Sequence, residues 1–82
     1  MSKRKKEKLA EAIEKLQQML DRLSVLAEIA YFEAQTYLGE ERFFSEYRAF
    51  LLISHRLNNI AKNLSQTVET LQGLLPKGGR HV

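Results

Sequence analysis

The sequence predicts an all-α chain folded as an antiparallel two-helix hairpin, with helices over about 3–38 and 41–75. Three observations carry that prediction. Apolar residues recur at alternating steps of three and four along both halves of the chain. Gly39 is the only glycine before position 73, and the one proline is Pro76. Before Gly39 the chain is dominated by Ala, Leu, Glu, Lys and Gln, all good helix formers.

The first helix has Ser2 as its N-cap, a residue whose hydroxyl can accept from a free backbone N–H of the first turn. Its seam runs Leu9, Ile13, Leu16, Leu20, Leu23, Ala27, Ala30, Ala34 and Tyr37. Ala12, Met19 and Leu26 widen that stripe on one side. Gly39 follows Tyr37-Leu38 and precedes Glu40-Glu41. A glycine there can end a helix by taking positive φ, and acidic residues suit the start of the next one.

The second helix repeats the pattern. Its seam runs Phe43, Tyr47, Phe50, Ser54, Leu57, Ala61, Leu64, Val68, Leu71 and Leu75, broadened by Ile53, Ile60, Thr67 and Leu74. Pro76 stops it, and a loose tail follows over 76–82.

One continuous helix is the alternative, and it would be about 110 Å long. Folding near Glu40 is favoured because it pairs complementary residues. Leu9 then meets Leu71, Leu16 meets Leu64, Leu20 meets Ile60, Leu23 meets Leu57, small Ala30 meets large Phe50, and Tyr37 meets Phe43. The whole chain, residues 1–82, reads as a single helical domain with a basic start at 2–8.

Two helices share only one seam. Val25, Ile29, Phe32, Phe44, Leu51 and Leu52 lie off it, and each forgoes about 1.5–3 kcal/mol if left in water. The expected remedy is a dimer of hairpins forming a four-helix bundle, or docking on another helical protein. A kink that adds a third helix is the monomeric alternative. The three Tyr and four Phe gather around the turn. Tip packing is the first reading of that cluster. The second is an anchoring surface for a partner. Val25, Ile29, Phe32, Phe43, Phe44, Tyr47, Leu51 and Leu52 are therefore the candidate interface.

Composition excludes several kinds of chemistry. The chain has no cysteine and two histidines, which leaves no zinc constellation and no thiolate nucleophile. Ser54 and His55 are neighbours, so on a helix they point about 100° apart and cannot act as nucleophile and base. No carboxylate stands three or four residues from His55. No cofactor, small-molecule substrate or catalytic residue is expected. No apolar run approaches the about 20 residues of a membrane span. No lipidation signal accompanies the basic start, so no membrane partner is expected. The start lacks the apolar core of a signal peptide, and a cytoplasmic location is the expectation.

Net charge is +3, unevenly spread. Lys3, Arg4, Lys5, Lys6 and Lys8 crowd the start, and Lys77 and Arg80 lie in the tail. In a hairpin these meet at one end, enough for several phosphate contacts with DNA or RNA. Arg48, His55, Asn59, Lys62 and Gln66 add a polar stripe on the second helix. No aromatic residue interrupts that stripe, so base stacking is not expected there.

Three short stretches have local likenesses. Ile53-Ser54-His55-Arg56-Leu57 resembles the phospho-acceptor helix of sensor histidine kinases, which implies phosphorylation at His55. Arg56 stands where that family usually has an acidic residue, and the chain has no room for its ATP-binding domain. Tyr37-Leu38-Gly39 resembles the aromatic-x-Gly turn of small secretion-associated helical hairpins, which implies a partner-binding adaptor. That family's tryptophan is absent. Leu57-Asn58-Asn59-Ile60-Ala61-Lys62 resembles a stretch of plasmid mobilisation accessory proteins, whose DNA-binding region has no counterpart here.

The expected function is a non-enzymatic helical interaction or adaptor module. It would self-associate or dock on a helical partner through its apolar belt and aromatic tip. The alternative is a small nucleic-acid-binding accessory protein that uses the basic cluster.

Overall fold

A computed structural model describes residues 2–75 as a helical hairpin. Helix α1 spans Lys3–Thr36 and helix α2 spans Phe44–Gly73, with a single 3-10 turn at Glu41–Phe43 leading into α2. The two helices pack along their length in a rod of 62 × 20 × 15 Å. Pro76, Lys77, Arg80 and the rest of the predicted tail lie outside the described residues.

Both seams behave as predicted. Every residue named above in either seam is buried or half-buried. The deepest positions are mostly small: Ala27, Ala30, Ala34, Ser54 and Ala61 join Ile13 and Val68. Small side chains let two helix backbones approach closely. The clearest consequence is at Ser54, whose buried hydroxyl donates to the backbone carbonyl of Ala27 across the interface at 2.9 Å. That contact fits the predicted fold-back near Glu40. So does Tyr37, whose ring lies 5.4 Å from that of Phe43 and stacks on Phe50 at 5.9 Å with an interplanar angle of 7°.

The helix ends differ from the expected 3–38 and 41–75. Helix α1 stops at Thr36, because the N–H groups of Tyr37 and Leu38 donate three residues back, to Ala34 and Gln35. Tightening of this kind satisfies the last carbonyls and ends the α pattern. The chain then reverses through Tyr37-Leu38-Gly39-Glu40, closed by the Glu40 N–H on the Tyr37 carbonyl. Gly39 sits third in that turn at φ 85°, a position that favours glycine. Glu40 offers no side-chain cap, and the chain re-enters helix through the 3-10 turn. At the far end α2 gives way at Leu74, again to bonds three residues back. At the start Ser2 caps α1 as predicted, its Oγ accepting from the Lys5 N–H at 3.3 Å.

No described helix is long and apolar enough to cross a membrane.

Candidate functional site

A hairpin leaves each helix with flanks and a back, and here the flanks differ. In an antiparallel pair the residue just before each buried seam position of one helix lies beside its equivalent on the other. On α1, steps of three and four from the start give Lys5, Lys8, Ala12, Lys15, Met19, Arg22, Leu26, Ile29 and Glu33. On α2 the matching stripe is Glu46, Ala49, Ile53, Arg56, Ile60, Asn63, Thr67, Thr70 and Leu74.

These two stripes flank one groove. Leu26, Ile29, Ala30 and Glu33 of α1 line it together with Phe50, Ile53 and Leu57 of α2, around a volume of about 390 Å³. Its floor is the seam itself. Its walls continue one heptad away from the turn, to Met19 on α1 and Ile60 on α2. Met19, Leu26, Ile53 and Ile60 keep 52, 50, 46 and 51% of their surface exposed. Two bulky, half-exposed side chains thus stand on each wall, and together they form one apolar strip along the rod.

The opposite flank is different in kind. It carries Gln17 and Ser24 on α1, with Asn58, Ser65 and Gln72 on α2. Only near the turn is it apolar, at Tyr31, Leu38, Phe44 and Leu51.

The predicted interface residues do not share one face. Val25 and Phe32 stand on the back of α1 and Leu52 on the back of α2, all exposed. Phe44 is exposed on the far flank and Leu51 is half-buried beside it. Phe44, Leu51 and Leu52 line a shallow hollow with Ser45, Arg48, Ala49 and His55, and the Arg48 guanidinium lies 5.7 Å from the Phe44 ring. Phe43 and Tyr47 belong to the hairpin's own packing, half-buried on the seam. Only Ile29 reaches the groove. The aromatic cluster thus divides: Tyr37, Phe43, Tyr47 and Phe50 pack the turn, while Tyr31, Phe32 and Phe44 face outward.

Sequence reasoning passed over Met19, Leu26, Ile53 and Ile60 as mere widening of the seams. The signal was there. Each precedes a buried or half-buried seam position by one residue, and antiparallel packing brings those positions to the same flank.

The polar candidates among the described residues are solvent-exposed. Lys3, Arg4, Lys5, Lys6 and Lys8 ring the first turns of α1, and no acidic residue stands in its first turn. Arg48, His55, Asn59 and Lys62 are exposed on α2. Lys77 and Arg80 lie outside the described residues. Among the described residues the recorded salt bridge joins Arg42 to Glu40 at 3.9 Å, both exposed. Arg42 also lies over the Phe43 ring at 4.7 Å. No group of three or more His, Cys, Asp or Glu able to hold a metal occurs among the described residues.

No protein-family model matches this chain, and no match is found among curated proteins or solved structures. The three short resemblances are therefore not extended to the whole chain.

Proposed function

We propose that this chain is a non-enzymatic helical interaction module that works by covering the groove between Met19, Leu26, Ile53 and Ile60. The single observation behind the reading is that groove: apolar on both walls, half-exposed along several turns, on a rod too thin to hide it. Burying an apolar side chain of this size is worth about 1.5–3 kcal/mol. Two of them on each wall of one groove give a partner helix strong reason to dock. The outward aromatics Phe32 and Phe44 are second-rank contacts, because they stand on other faces.

Site-specific photo-crosslinking tests the reading. A photoreactive residue at Met19 or Ile60 should capture protein in a lysate of the source cells. The same residue at Gln18, on the back of α1, should capture far less. Equal capture at all three positions would overturn the reading.

A second reading has one observation in its favour. Lys3, Arg4 and Lys5 occupy the first turn of α1, where positive charge opposes the helix dipole. Cations placed at that cost suit a phosphate ligand, which both the lysines and the helix terminus attract. This reading predicts DNA or RNA binding that weakens steeply with salt, and a salt titration on nucleic-acid-free protein measures it.

A further inference from the structure

The groove carries charge in a pattern that identifies its occupant. Near the turn it ends in two carboxylates. Glu33 lines it on α1. Glu46 stands one heptad before Ile53 on the α2 stripe, at the same level of the rod and half-buried. Among the described residues neither forms an ion pair. At the open end the same face carries Lys5, Lys8 and Lys15, all exposed. One face is thus acidic at one end, apolar in the middle apart from Arg22 and Arg56 at its rim, and basic at the other end. Such a surface complements itself when a copy is turned end for end.

We infer that the groove is covered by a second copy of this chain, stacked groove to groove with the two turns at opposite ends of a four-helix bundle. The inference rests on the interaction-module reading and names its partner.

Two symmetric stackings are geometrically available. In one, the turns lie together and α1 of one copy covers α2 of the other. Glu33 and Glu46 of both copies then crowd one end, and Lys5, Lys8 and Lys15 of both crowd the other. In the second, the turns lie apart and each helix runs antiparallel to its own equivalent. A twofold axis near Leu23 and Leu57 then brings the level of Glu33 in one copy to about the level of Lys15 and Ala12 in the other. Like charges are separated and opposite charges meet. Arg22 and Arg56 lie near the axis in both stackings, at the groove's rim where their stems can carry the charge to water. They do not choose between the two.

Area permits the assembly. The face belongs to a rod 62 Å long and 20 Å wide, and a standard interface needs about 800 Å² per partner. Stacking two such layers buries the groove residues on both sides, as in other four-helix bundles.

Two measurements test the inference together. Light scattering should give twice the chain mass for the wild type. It should give a monomer for Leu26→Asp/Ile53→Asp and an unchanged dimer for Leu52→Asp, with circular dichroism checking that helix is retained. The chain has no cysteine, so Glu41→Cys places one spin label at each turn without other changes. Turns apart should give an interspin distance of about 50 Å, the length of one helix, and turns together one within about 20 Å. Glu33→Lys/Glu46→Lys should weaken the dimer at least tenfold, and adding Lys8→Glu/Lys15→Glu should restore it. A short distance, or a dimer that survives Leu26→Asp/Ile53→Asp, overturns the inference. So does a wild-type monomer. A monomer whose Met19 crosslinks capture a different protein leaves the interaction module standing with another partner. A monomer with no face-selective crosslinks ends both.

Discussion

Ser54 sits on the α2 seam among apolar neighbours, and its position explains how closely the helices meet. Its hydroxyl reaches the Ala27 carbonyl at 2.9 Å because Ala27, Ala30 and Ala34 present almost no bulk. A net contribution of about 0.5–1.5 kcal/mol is usual for such a bond. Ser54→Ala should therefore cost about 1 kcal/mol, since the Ala27 carbonyl keeps its place in the α1 ladder. Ser54→Leu should cost more, about 1–3 kcal/mol, by forcing the backbones apart. Urea unfolding at one fixed protein concentration measures both, and a Leu variant as stable as the Ala variant would contradict the close packing. Gly39 gives a different kind of test. Nothing lies within 4 Å of a Cβ built there, yet φ is +85°. Gly39→Ala should cost about 1–2 kcal/mol through backbone strain alone, and Gly39→Asn should cost less. The periodicity marked Ser54 as a seam position and Gly39 as the break. It could not reveal the Ala27 contact, which depends on the distance between two helices rather than on either sequence.

At the scale of the helix, the seams were legible because burial of a stripe imposes a period, and the period is written in the residues from Leu9 to Leu75. The helix ends were less so. Tyr37 and Leu38 continue the first pattern, but the turn draws their N–H groups into three-residue bonds and leaves them outside α1. The groove was the least legible feature. Val25, Phe32 and Leu52 look like an interface on a single helix, yet they stand on the backs of the two helices. Met19, Leu26, Ile53 and Ile60 become one surface only when the antiparallel register is known. The basic start offers a prediction at this scale. Lys3→Glu/Arg4→Glu replaces unfavourable charge at the α1 N-terminus with favourable charge. Each change should stabilise the helix by about 0.3–1 kcal/mol at low ionic strength. If the cluster holds phosphates, the same variant should lose nucleic-acid affinity, and the slope of log affinity against log salt should flatten by about 0.9 per contact removed. Thermal unfolding and a binding titration on one protein sample separate the two effects. A variant that is less stable would contradict the dipole argument. Unchanged binding would remove the cluster from the phosphate-binding reading.

The whole molecule is a rod with a thin interior. Among the described residues no large side chain falls below 2% exposure, and twelve large apolar ones remain substantially exposed. A chain of this size with one seam has little stability to spare, since small single cores rarely supply more than about 3–5 kcal/mol. Covering the groove therefore adds a large fraction of the total. If a second copy covers it, as proposed, stability becomes a property of the assembly, and mass action ties it to concentration. If two copies fold as one unit, a hundredfold dilution should lower the unfolding free energy by about 2.7 kcal/mol. Two copies of 82 residues make a unit for which each kcal/mol is worth about 2–4 °C, so the midpoint should fall by about 5–11 °C. Leu26→Asp/Ile53→Asp should melt lower, and its midpoint should not move with dilution. Melting curves of both proteins at two concentrations decide the matter. A wild-type midpoint independent of concentration would mean that the hairpin stands alone, with its groove left for a different protein to cover.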